Sequence, residues 1–71
     1  MASFKPKEVV SILQALGFIK KRQSGSHVLM YNQETKVSIP IPIHTKDIKR
    51  GLILGIIKQV KSSEEEFIKL K

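Results

Sequence analysis

The chain has 71 residues and carries 13 Lys and Arg against six Asp and Glu, a net charge of +7. A chain this short buries only about 60% of the surface its unfolded form exposes, which argues against long loops and a deep enclosed site. It has no cysteine, so disulfides and thiolate zinc sites are excluded, and a reducing cytoplasm suits it. No stretch approaches the roughly 20 apolar residues a membrane helix needs, and "MASFKPKEVV" lacks the apolar core of a signal peptide. The expectation is one small cytoplasmic domain, 1–71, without membrane association.

"KPKEVVSILQALGF" predicts an opening helix, with Val9, Ile12, Leu13 and Leu16 forming one apolar stripe. Pro6 suits its first turn, Ser3 is placed to cap it, and Gly17 is a natural stop. Three extended segments follow, at 18–23, 26–32 and 36–41, separated by the turn residues Ser24 and Gly25 and by "NQET". Short turns favour antiparallel hairpins. Pro40 and Pro42 cannot donate to a ladder, so the third strand belongs at an edge or ends early, and the second is central.

Beyond "HTKD" the period becomes helical again. Ile48, Leu52, Ile56 and Val60 share a side, joined by Ile53 and Ile57. Gly51 separates a turn at 45–50 from a main helix at 51–60. Ser63 with Glu66 reads as a capping box that starts a last short helix, docked through Phe67 and Leu70. The class is α+β, α-β-β-β-α with a short C-terminal helix. Both long helices are amphipathic and must share one face of a three-stranded antiparallel sheet, leaving the other face partly open. That is the arrangement of a double-stranded-RNA-binding domain.

The chain offers few routes to chemistry. Its two histidines, His27 and His44, lie 17 residues apart without cysteine and among Lys and Arg, which makes a poor metal site. Alternation along a strand sends Ser26 and His27 to opposite faces, which weighs against a nucleophile–base pair. No glycine-rich phosphate loop is present. What remains is phosphodiester chemistry on RNA, whose 2′-hydroxyl is a built-in nucleophile. Histidine suits the proton transfer because imidazole ionises near pH 6.5, and no metal or cofactor is needed. Lys20, Lys21 and Arg22 lie on the strand hairpinned against His27. Lys46, Lys49 and Arg50 cluster where the second long helix begins, an end that itself favours phosphate. Tyr31 could stack on a base, and His44 could brace the turn it precedes.

In order and spacing these motifs resemble the HicA toxins of HicA–HicB (YcfA-like) toxin–antitoxin systems. The residues are "LGF" at 16–18, "GSH" at 25–27, "SIPIPIH" ending at His44, "GLILGIIKQ" at 51–59 and the tail "SSEEEFIKL". The resemblance implies a metal-independent ribonuclease that cleaves mRNA, with His27 as the catalytic histidine. Ser26, Tyr31 and His44 then have orienting or structural parts, and the six cations hold RNA. It also implies a HicB-type antitoxin partner, with the toxin monomeric when free and hetero-oligomeric when neutralised. Two departures stand out: Leu52 replaces a usual threonine, and Gly55 falls inside the helix. Two other readings compete, a non-catalytic double-stranded-RNA-binding module that needs no His27, and a protein-interaction domain using the open sheet face.

Overall fold

The computed structural model describes residues 3–71. Helix α1 runs Pro6–Ala15 and is followed by strands β1 (Ile19–Ser24), β2 (His27–Asn32) and β3 (Val37–Pro42). Helices α2 (Arg50–Gln59) and α3 (Glu64–Leu70) complete the order. The sheet is antiparallel in the order β1-β2-β3, so β2 is central and the proline-bearing β3 lies at an edge. Class, order and sheet agree with the reading from sequence. No helix of the described residues is long and apolar enough to cross a membrane.

One core explains the layers. Val9, Ile12 and Leu13 of α1, Val28 and Met30 of β2, and Ile39 and Ile41 of β3 pack with Ile53, Ile56 and Ile57 of α2. Both long helices therefore cover the same sheet face. Phe4 and Phe67 meet edge-to-face with ring centroids 6.0 Å apart, and Phe4 also pairs its backbone with Ile48, tying α3 and the start of α2 to the N-terminal segment. Each fully buried aliphatic side chain here contributes about 1.5–3 kcal/mol through removal from water.

Several local expectations are corrected. Ser3 does not cap α1: its carbonyl accepts from Lys71 Nζ at 2.6 Å, while Glu8 Oε1 accepts the Lys5 N–H at 2.8 Å. Leu52 leaves the buried stripe and is 41% exposed, because Ile53, Ile56, Ile57 and Val60 form the arc that meets the sheet. Leu70 stays 38% exposed, so Phe67 docks α3 without it. Ser63 Oγ does accept the Glu66 N–H, but the Glu66 carboxylate returns to the Ser62 hydroxyl instead of closing the box on Ser63.

Both long helices end the same way. Phe18 N–H bonds to the Leu13 carbonyl and Gly17 N–H to Gln14, with Gly17 at φ 96°. Ser62 N–H bonds to Ile57 and Lys61 N–H to Lys58, with Lys61 at φ 56°. Each is a Schellman ending. The second places a lysine where glycine is the usual choice.

Candidate RNA-facing site

His27 opens β2, and its position follows from the turn before it. Gly25 adopts φ 58°, the positive value that the first central residue of a type II′ hairpin requires. Ser24 then pairs with His27 across a two-residue turn. Along β2 the burial alternates: His27 is exposed, Leu29 and Tyr31 half-buried, and Val28, Met30 and Asn32 buried. Residues 27, 29 and 31 thus line the face that the helices leave uncovered.

Ser26 belongs to the turn and not to the strand. The alternation that was to part Ser26 from His27 does not apply, and Ser26 Oγ lies 3.2 Å from His27 Nδ1. This contact uses one ring nitrogen and leaves Nε2 for other partners.

A β-bulge distributes the basic run. Ile19 pairs with Tyr31 and Lys20 with Met30, after which Arg22, not Lys21, pairs with Leu29. Directly paired residues share a face. Lys20 therefore lies on the helix side, where it lines a groove with Lys7 and Gln14. Arg22 lies on the open side, diagonal to His27, a placement that puts two residues about 7–8 Å apart. Lys21 reaches the same side, its Nζ 4.6 Å from the Tyr31 ring centroid. The extra residue puts two successive cations on the open face, Arg22 on the His27 side and Lys21 turned to Tyr31, an outcome regular alternation forbids.

The second basic group leaves the sheet at the His27 end. Ile43 N–H bonds to the Ser26 carbonyl at 2.8 Å, and His44 follows, exposed. Thr45 Oγ1 donates to the Asp47 carbonyl at 3.0 Å, Ile48 is buried, and Lys46 and Lys49 are exposed. Lys49 caps α2 without a side-chain hydrogen bond, and no acid occupies the first turn. Position 52 is the third helical residue, so a threonine there would not be an N-cap. Arg50 is already engaged: its two terminal nitrogens donate to the Glu64 carboxylate at 3.1 Å each. That hydrogen-bonded pairing holds the Glu64 carboxyl below its usual range. Nothing in the local spacing announces it, since the partners lie 14 residues apart on different helices.

The structure thus gathers His27, Ser26, Lys21, Arg22 and Tyr31 on one face. His44 lies just past its end, Lys46 and Lys49 follow on the exposed segment that leads into α2, Lys20 lies on the helix side, and Arg50 is paired with Glu64. Among the described residues no group of three or more His, Cys, Asp or Glu is placed to hold a metal ion. In chemical terms the face offers a proton-transfer group, fixed positive charge and an aromatic surface, without walls.

A family model described as the HicA toxin of bacterial toxin–antitoxin systems matches residues 6–61. No curated protein matches the chain. The matched span runs from the first residue of α1 to the ending of α2 and includes every residue of the open face. This chain belongs to the HicA toxin family.

Proposed function

We propose that this protein is an endoribonuclease, an mRNA interferase that cleaves without a metal ion, and that His27 is its catalytic residue. The observation that carries the reading is an exposed imidazole on an open sheet face, with Arg22 diagonal to it, Lys21 farther along the same face, and Nδ1 within hydrogen-bond distance of the Ser26 hydroxyl. With Nδ1–H donating to Ser26 Oγ, Nε2 holds the lone pair a general base requires. The 2′-hydroxyl of a bound ribose gives its proton to Nε2 as its oxygen bonds to phosphorus. The bond from phosphorus to the 5′-oxygen breaks, and that oxygen takes a proton from water or a lysine. Arg22 offsets the charge that builds on the phosphoryl oxygens, and Lys21 holds the backbone farther along the strand. Lys46 and Lys49 hold neighbouring phosphates.

In this reading the 71 residues act as one domain in the cytoplasm, monomeric until a HicB-type antitoxin covers them. The test follows from the bonds made and broken. Incubated with chelator, the protein should cut RNA to fragments ending in 2′,3′-cyclic phosphate and 5′-hydroxyl, and leave DNA of the same sequence intact. Binding without any cutting by the parent protein would replace the nuclease with a non-catalytic RNA-binding module.

A further inference from the structure

We infer that the open sheet face takes an unpaired RNA strand, with one base stacked on Tyr31 and the adjoining phosphates held by Lys21 and Arg22. The inference rests on the ribonuclease reading of the same face and adds the state of the substrate and the residue that selects it.

Two observations carry it. The first is composition: between the cations the face is apolar, with Ile19 50% exposed and Leu29 and Tyr31 half-buried. A paired RNA helix presents phosphates and 2′-hydroxyls outward and hides its base faces, so an apolar strip gains nothing from it. An unpaired strand exposes base faces, which stack on aromatic rings.

The second is the bulge. It brings the Lys21 ammonium over the Tyr31 ring in the free protein. An exposed cation–π contact is weaker than a base stacked on an aromatic side chain. An incoming base therefore displaces the ammonium to the ring's edge, beside the phosphate that the base brings with it. Tyr31 stands four residues along β2 from His27, about 13 Å at the usual strand rise. It reads a neighbouring base, not the cleaved link.

The chain has one tyrosine and no tryptophan, so its intrinsic emission reports on Tyr31 alone. The His27→Ala protein, which should leave RNA uncut, is titrated with an unstructured oligonucleotide and with a hairpin whose stem pairs that same sequence with its complement. The single strand should quench the emission to saturation and the hairpin should leave it nearly unchanged. In the same background Tyr31→Ala should weaken single-strand affinity by about 5- to 150-fold, with Tyr31→Phe within about twofold of Tyr31. Tyr31→Leu, which keeps an apolar side chain on the strand, should behave as Tyr31→Ala, separating stacking from a folding defect.

Equal quenching by both RNAs, or unchanged affinity in Tyr31→Leu, would overturn the inference. The two readings can fail separately. Cleavage by the parent protein with an unresponsive Tyr31 removes the platform alone. Quenching by the single strand without cleavage by the parent protein removes the nuclease and leaves the platform supported.

Discussion

His27 acquires its partner from the turn before it, not from its strand. Gly25 bends the chain with a positive φ, Ser26 occupies the second turn position, and its hydroxyl reaches the imidazole. If this contact fixes the base-competent ring, Ser26→Ala should lower the cleavage rate about fivefold, the worth of one ordinary hydrogen bond. RNA affinity should stay unchanged, and single-turnover rates at saturating RNA check the split. The residue pattern exposed His27 as the histidine to watch but misplaced Ser26. Alternation holds only inside a strand, and the boundary fell one residue later than the pattern implied.

At the scale of elements, helix stripes and strand order were legible because burial imposes its period on the sequence. The edge position of β3 was written in Pro40 and Pro42. The bulge was not, because "IKKRQ" obeys no alternation that an extra residue could break. The stripe of α2 was read one position too wide: Leu52, Ile56 and Val60 also repeat every four residues, and only packing against the sheet decides between overlapping arcs. Its Schellman ending lacked a glycine to mark it, since Lys61 fills that position. Gly55 was marked as a departure, and a Cβ built there meets nothing within 4 Å. Gly55→Ala should therefore raise stability by about 1 kcal/mol, the helix-propensity difference. Denaturant unfolding at unchanged slope checks it, and a fall in stability would mean that α2 does not continue through position 55.

For the whole molecule, charge sets the partner and one ion pair restrains a cation. Thirteen basic residues against six acids predict binding that weakens steeply with salt. Arg50 is held out of that field by Glu64, which ties α2 to α3. Because the pairing depresses the folded-state carboxyl, its contribution is present above the ordinary carboxylate range and is lost as pH falls through the lowered value. Glu64→Gln should flatten the loss of stability as pH falls below the ordinary carboxylate range, measured by denaturant midpoints across a series of acidic buffers. It should also free Arg50 and tighten RNA binding at neutral pH. Long-range pairs such as this one leave no trace in sequence spacing, whereas the net charge and the layer count were plain from composition and period.

The most direct measurement is the single-turnover cleavage rate of one RNA, with chelator present, by the parent protein and by His27→Ala. A catalytic imidazole predicts a loss of at least about 100-fold with RNA affinity retained. Equal rates from the two proteins would contradict it and remove His27 from the chemistry.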